Sequence, residues 1–188
     1  MTTTTIVLIV VAIVVLWAIM VYNGLITLTN RAKEAWADIN VQLKRRYDLI
    51  PNLVETVKGY AAHESTAFEN VSKARAAAMG AGGAAPAAQA AAENQLSGAL
   101  KTIFAISEAY PDLKANQNFL QLQQELGDTE DKIQAARRFY NTTVMALNTA
   151  EQHFPGNLVA SSFHFAPMDL FELAEADAAA AEPVKVQF

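Results

Sequence analysis

Cysteine is absent from this 188-residue chain, and histidine is scarce. Without a thiol, the protein forms neither disulfides nor thiolate metal sites, and cysteine cannot serve as a nucleophile. The three histidines, His63, His153 and His164, lie far apart and show no spacing typical of a metal site. We interpret each as a surface or singly hydrogen-bonded residue and expect no metal ion.

Sequence motifs that bind phosphates or activate nucleophiles are also missing. The chain has no Gly-rich loop that ends in Lys-Ser or Lys-Thr, no G-x-S-x-G and no H-E-x-x-H. Carboxylates are plentiful, but a catalytic pair needs a cleft that shifts its pKa values, and the pattern indicates none. The sequence therefore predicts no catalytic residue, no cofactor-binding residue and no small-molecule substrate.

Positive charge is in short supply. Lysine and arginine number 14 against 19 aspartates and glutamates, which gives a formal net charge of −5. A chain with this balance is not suited to hold a polyphosphate backbone, so we expect no nucleic-acid partner. Charge of either sign is missing from the first thirty residues, and Arg31 and Lys33 are the first charged side chains.

In place of charge, the N-terminal stretch carries an almost unbroken apolar run from Ile6 to Tyr22. A helix over residues 6–28 would be about 34 Å long, enough to cross a hydrocarbon core of about 30 Å. The run lacks the basic n-region and the small-x-small site of a cleaved signal peptide. We therefore expect residues 1–28 to be an uncleaved transmembrane anchor that contacts the lipid bilayer through residues 6–28.

The basic residues nearest the anchor predict its orientation. Nothing basic precedes the apolar run, whereas Arg31 and Lys33 follow it closely. Because Lys and Arg flanking a span stay on the cytoplasmic side, the pattern favours an outside N-terminus and a cytoplasmic soluble domain.

Apolar residues recur at helical spacing along the rest of the chain, and no alternating strand pattern is evident. One seam alternates steps of three and four residues without a slip, which is typical of a long packed helix. It comprises Phe119, Leu122, Leu126, Thr129, Ile133, Ala136, Tyr140, Thr143 and Leu147. Three shorter seams start at Trp36, Leu53 and Leu96. We predict an all-α fold in which the N-terminal transmembrane helix continues into an antiparallel bundle of long helices.

Several breaks divide this helical pattern. Pro51 lacks an amide donor and is expected to kink the helix or restart it. Residues 76–92 contain eleven alanines and three glycines and no charge, and predict a flexible hairpin tip. Pro111 is expected to re-enter a helix near its N-terminus. The domains predicted are the anchor (1–28), a helical-bundle domain (29–160) that includes the tip, and a return segment with an acidic tail (161–188).

A basic patch, Lys44-Arg45-Arg46, admits two interpretations. It could bind anionic lipid or an acidic partner. It could instead pair with carboxylates on a facing helix, such as Glu125, Glu130 or Asp131. A patch some 25 Å from the bilayer lies well beyond the screening length of about 8 Å, and this distance favours the structural pairing.

Several strings together resemble the signatures of the bacterial LemA family. The first runs from Arg45 to Tyr60 and continues with His63-Glu64, and the second runs from Glu108 to Asn116. The third extends from Leu122 to Asn141. Phe154-Pro155 and the closing Val186-Gln187-Phe188 also fit, so that the resemblance covers nearly the whole chain in order.

The resemblance implies a single-pass protein of the bacterial cell (inner) membrane, with a helical bundle, no cofactor and no known reaction. Its motif residues carry over as packing positions rather than as catalytic groups. We expect nine of them to form a buried or half-buried polar network. They are Arg45, Arg46, Asp48, Asn52, Glu108, Glu130, Arg137, Tyr140 and Asn141.

Together these features favour a membrane-anchored helical-bundle scaffold or interaction protein without catalytic activity. Its partners would be further copies of itself or other membrane proteins. The alternative is a protein that shapes or attaches to membranes directly, through the Ala/Gly-rich tip or the amphipathic return segment. An enzyme is the least favoured class.

Overall fold

The computed structural model describes residues 2–171 and confirms the predicted all-α fold. Within this range there are six helices and no strand. The helices are α1 (Thr3–Lys58), α2 (Ser65–Gly80), α3 (Pro86–Ser107), α4 (Pro111–Lys114), α5 (Gln117–Gln152) and α6 (Gly156–Ser162). The acidic tail and the closing Val186-Gln187-Phe188 lie outside the described residues.

The described residues form two compact units. The anchor unit contains residues 2–37 and 138–170, and the bundle unit contains residues 38–137 together with Phe171. Helices α1 and α5 contribute residues to both units.

Helix α1 begins with the predicted apolar segment. It is the one helix among residues 2–171 that is long and apolar enough to cross a membrane, and none of its most apolar 18-residue window is buried. The large side chains from Ile6 to Met20 are exposed, apart from Trp17, which is half-buried. This exposure distinguishes the segment from the core helix of a soluble protein, whose apolar residues would be covered.

The long seam predicted for α5 forms the buried side of that helix. Seven of its nine residues are buried, and Leu122 and Ala136 are half-buried. Burial follows the three-four spacing because residues three and four apart lie on one side of a helix.

Four helices of the bundle unit run alternately up and down. The α2–α3 hairpin is antiparallel. Tyr60, just after the end of α1, accepts a 2.9 Å hydrogen bond from Asn116, just before α5 begins, so the end of α1 lies beside the start of α5. This order is the up-down-up-down topology of helix bundles with short connections.

The restart that was one of the two expectations at Pro51 does not occur. Helix α1 continues through this residue to Lys58. Pro51 cannot donate to the carbonyl of Tyr47, four residues earlier, but Arg75 Nε from α2 donates to that oxygen at 2.8 Å. A side chain from another helix thus replaces the missing backbone bond.

The Ala/Gly-rich stretch is helical over most of its length. Helix α2 extends to Gly80 and α3 starts at Pro86, so the turn comprises residues 81–85. Gly83 has φ +88°, a left-handed conformation that glycine adopts without steric cost. Alanine favours helix strongly, which explains why the tip is shorter than its composition indicates.

The return segment after α6 is fastened to α5 in the anchor unit. The side chain of Asn148 accepts from the amide of Met168 at 3.0 Å and donates to its carbonyl at 2.9 Å. The hydroxyl of Tyr140 donates to the carbonyl of Asp169 at 2.9 Å. These bonds satisfy backbone groups that have no helical partner there.

Candidate functional site

Arg46 occupies the centre of the bundle unit. On α1 it falls between Leu43 and Ile50, at the three-four spacing of the buried seam, and its side chain is only 2% exposed. A guanidinium withdrawn from water requires hydrogen bonds and opposite charge around it.

Two carboxylates and a hydroxyl surround this guanidinium. Arg46 Nη1 donates to Glu130 Oε2 of α5 at 2.6 Å and to Ser97 Oγ of α3 at 3.0 Å. Arg46 Nη2 forms a short, buried ion pair with Glu93 of α3. The ion-pair network, as we call Arg46, Tyr47, Glu93, Ser97 and Glu130, therefore joins three helices.

Tyr47 completes the hydrogen bonding of Glu93. Its hydroxyl donates to Glu93 Oε1, while Arg46 holds Oε2. Burial raises the pKa of Tyr47, and the hydrogen bond and the negative charge of Glu93 raise it further. Arg46 acts in the opposite direction, but the phenol stays protonated and serves as a donor.

Glu130 is the partly exposed member of the network. Its side chain is 40% exposed, and its second oxygen accepts from Gln134 Nε2 at 3.2 Å. Arg46 Nε is buried and has no hydrogen-bond partner within residues 2–171. The network thus provides hydrogen-bond acceptors for Nη1 and Nη2 of Arg46 but none for Nε.

A cavity of about 510 Å³ adjoins the network. Arg46, Glu93 and Glu130 contribute its polar wall, and Phe104, Leu126 and other side chains its apolar wall. Such a volume falls in the range of small-molecule sites, although both carboxylates already accept hydrogen bonds from Arg46. Among the described residues, no group of three or more His, Asp or Glu could hold a metal ion.

The structure brings together only part of the nine-residue set expected from the sequence. Arg46 and Glu130 meet in the ion-pair network, whereas Arg45, Asp48 and Asn52 are exposed. Their α1 positions fall between the buried seam positions, and this places them on the solvated side. Glu108 is also exposed and pairs with Lys114.

The other three members of the set lie elsewhere. Arg137 is buried, and its guanidinium stacks over the ring of Phe171, 4.6 Å from the centroid. Tyr140 is buried in the anchor unit, where its ring packs 5.1 Å from that of Trp36. Burial and the charge of Asp169 raise the pKa of Tyr140. Asn141 is half-buried.

Sequence reasoning missed Glu93, Tyr47 and Ser97 as members of the network. Glu93 follows the Ala/Gly-rich stretch, whose composition predicts a tip rather than a core helix. The seam of α3 contained the signal, because Leu96, Leu100 and Ile103 extend backwards by three residues to Glu93. A carboxylate at a seam position calls for a buried cation opposite, and Arg46 occupies the corresponding position of α1.

Comparison with known proteins identifies the sequence class. The model of the LemA family matches residues 35–188. Magnetosome protein MamQ of Magnetospirillum gryphiswaldense is 24% identical, over 81% of this chain and 65% of its own length. Magnetosome protein MamQ 2 of Paramagnetospirillum magneticum is also 24% identical, over 82% and 65%. Protein LemA of Metamycoplasma hominis is 26% identical, over 81% and 69%.

This chain therefore spans slightly less than two thirds of the length of the MamQ relatives it matches. The names of these relatives state no reaction.

Proposed function

The chain belongs to the LemA family, and from this premise we propose that it is a membrane-anchored helical scaffold without catalytic activity. The bilayer contacts the exposed apolar part of α1, and the bundle offers its surface to other membrane proteins or to further copies of the chain. The N-terminus lies outside the bacterial cell membrane and the bundle lies in the cytoplasm.

The observation that carries this proposal is the length and composition of α1. Over its first turns the helix exposes large apolar side chains, as lipid contact requires. Further along the same helix, Arg46 enters the ion-pair network. One uninterrupted helix thus contains both the proposed membrane span and a core position of a helical bundle.

The chemistry of the ion-pair network supports a structural role for its charged groups. Glu93 and Glu130 both accept hydrogen bonds from Arg46, and Tyr47 donates to Glu93. Buried polar contacts of this kind can fix the register of neighbouring helices, which is the role we propose for this network. A defined register keeps the outer surface of a bundle constant, which a scaffold needs for recognition.

Site-specific crosslinking in living cells tests the scaffold. A photoreactive amino acid is placed at Met79 and, in a second variant, at Arg45, because both side chains are exposed. We expect discrete adducts of defined mass that sediment with membranes, formed with the same chain or with other membrane proteins. A chain that gives no adduct at either position and elutes as a lone monomer from mild detergent contradicts the proposal.

Orientation is tested with single cysteines, which the cysteine-free chain makes possible. In intact cells, a membrane-impermeant maleimide should label Thr4→Cys and should leave Arg45→Cys unlabelled until the membrane is opened. Labelling of Arg45→Cys in intact cells would reverse the proposed topology.

A further inference from the structure

A group of exposed apolar side chains lies beside the anchor, in the turn after α5 and in α6. We call Phe154, Leu158 and Phe163 the apolar collar; their side chains are 79%, 56% and 59% exposed. Soluble proteins expose single apolar residues routinely, but three large ones within ten residues form a patch that calls for an occupant.

The collar belongs to the same compact unit as the anchor and contacts it directly. The ring of Phe163 lies 4.8 Å from that of Tyr22. Beneath the collar, Val159 and Ala160 are buried with Leu25 and Leu147 in one apolar cluster. The collar is therefore fixed at the level of α1 where the exposed apolar run ends.

The same apolar cluster defines how far the lipid-covered part of α1 extends. From Trp17 to Leu28, one side of α1 packs against the end of α5, α6 and the return segment. Before this region lipid can surround the helix completely, and from Trp17 onward lipid can cover only the side of α1 that these segments leave open. Counted back from Tyr22, about 20 helical residues supply the roughly 30 Å of a hydrocarbon core.

The helix before Tyr22 is therefore long enough for a full span, which allows Tyr22 and the neighbouring Phe163 to lie at the boundary between hydrocarbon and headgroups. Trp17, which is half-buried against the apolar cluster, is of the residue type that favours this boundary, as is Tyr22. The membrane span of residues 6–28 inferred from the sequence would submerge α6 more deeply.

The charge pattern around the collar fits the same location. Residues 152–168 contain no Asp, Glu, Lys or Arg, although charged residues make up 18% of the chain. The stretch also includes the exposed His153 and His164, so the apolar contact is made by the collar side chains, which enter the interface without losing the hydration of an ion. Since the stretch has no Lys or Arg, the proposed contact does not depend on attraction to anionic lipid.

We propose that the apolar collar inserts into the bilayer interface beside the anchor, giving the chain a second membrane contact. The occupant is the lipid acyl-chain region just below the headgroups. This inference depends on the proposed membrane anchoring. It adds that α6 and the C-terminal end of α5 lie on the leaflet at which the anchor leaves the bilayer. This contact holds the anchor unit against the membrane.

Fluorescence quenching in bilayers tests the collar with the full chain. Single-cysteine variants Phe154→Cys and Leu158→Cys carry an environment-sensitive dye, and the protein is reconstituted into phosphatidylcholine vesicles containing nitroxide-labelled lipid. We expect a blue-shifted emission and stronger quenching by a nitroxide near the headgroup than by one near the end of the acyl chain. The same result is expected when anionic lipid is added.

Two further single-cysteine variants distinguish failure of the proposed collar contact from failure of the proposed membrane anchor. Phe139→Cys is the control, because Phe139 is an aromatic residue of the anchor unit that is about as exposed as Leu158 and lies roughly four turns before the end of α5. It should show no lipid quenching. Val10→Cys reports on the anchor and should be quenched by the deep nitroxide.

Quenching at Val10 without quenching at Phe154 and Leu158 would overturn the collar and leave the anchor intact. Absence of quenching at Val10 would overturn the anchor as well. A blue-shifted collar dye that nitroxide lipid does not quench would show that protein covers the patch, which also contradicts the proposal.

Discussion

Arg75 Nε donates a 2.8 Å hydrogen bond to the main-chain carbonyl of Tyr47, the carbonyl that Pro51 leaves without its helical donor. Proline in a helix interior costs about 3 kcal/mol, partly through this lost bond. The Arg75 guanidinium offsets part of that cost, and its hydrogen bond also links α2 to α1.

A double-mutant cycle should reveal this compensation. Arg75→Met is expected to destabilise the wild-type chain by about 1–2 kcal/mol, because a charged donor is lost from a half-buried carbonyl. In the Pro51→Ala background the amide of residue 51 can bond to the Tyr47 carbonyl, and Arg75→Met should cost less than half as much. Urea unfolding of the full chain in mild detergent, followed by circular dichroism, measures both values. Equal costs in the two backgrounds would contradict the assignment.

Substitution of Arg46 should show how much the ion-pair network contributes to the free energy of unfolding. Arg46→Met leaves Glu93 buried without its cation, and breaking a buried pair in this way costs about 3–5 kcal/mol. Arg45→Met is the matched control on the exposed side of α1 and should change stability by no more than about 0.5 kcal/mol. Replacing Glu93 by Met as well should recover part of the loss. A double variant less stable than Arg46→Met would contradict this account.

Alkaline pH should weaken the bundle through Tyr47. A phenol whose pKa is raised in the folded state stays protonated above pH 10, where the same phenol ionises in the unfolded chain. Folding stability is therefore independent of this group below about pH 10 and falls as pH rises above it. Tyr47→Phe should remove that part of the alkaline loss. Its tyrosinate difference spectrum against wild type should titrate above the range of free tyrosine, and titration near pH 10 would contradict the burial argument.

The long helices were predictable because their signal is local and repeated. The α5 seam fixes its buried side through nine positions, and a single deviation would not hide the period. The local sequence alone does not exclude a restart at Pro51, because the residue that compensates for the lost backbone bond, Arg75, is distant in sequence.

Prediction of the site failed where burial had to be judged for charged residues. Arg45 and Arg46 are chemically identical neighbours, yet Arg46 is buried and Arg45 is exposed. Only the seam register separates them, and one residue rotates a helical position by about 100°. Glu93 was missed because its alanine-rich surroundings have little periodic contrast. Neither failure concerns the fold, which depends on the apolar pattern alone.

Glu151 should destabilise the anchor unit at neutral pH. Its side-chain oxygens are buried without a hydrogen-bond partner among the described residues, and burial raises the pKa of this carboxyl. A raised carboxyl pKa favours the folded state as pH falls and disfavours it above the folded pKa. Glu151→Gln should therefore stabilise the protein by about 1–3 kcal/mol at pH 7, and the gain should vanish in acid.

Unfolding of wild type and Glu151→Gln is followed by the near-ultraviolet circular dichroism of Trp36 and Tyr140, which pack together in the anchor unit. The difference in unfolding free energy between the two proteins measures the stabilisation. Glu34→Gln, an exposed carboxylate of the same unit, serves as the control and should have little effect. A destabilising Glu151→Gln variant would show that the carboxylate is paired in the folded protein.

Two glycines that look alike in the sequence should respond to alanine in opposite directions. At Gly156, which starts α6, a Cβ atom would lie 2.7 Å from the carbonyl oxygen of Ala150. Because this neighbour is backbone, the α5–α6 turn must shift, and Gly156→Ala should cost about 1–3 kcal/mol. At Gly127, inside α5, a Cβ atom meets nothing within 4 Å. Gly127→Ala should stabilise the chain by about 0.5–1 kcal/mol through helix propensity. Thermal unfolding of both variants beside wild type measures the difference, and a stabilising Gly156→Ala would contradict the close approach that fixes α6 beside the anchor.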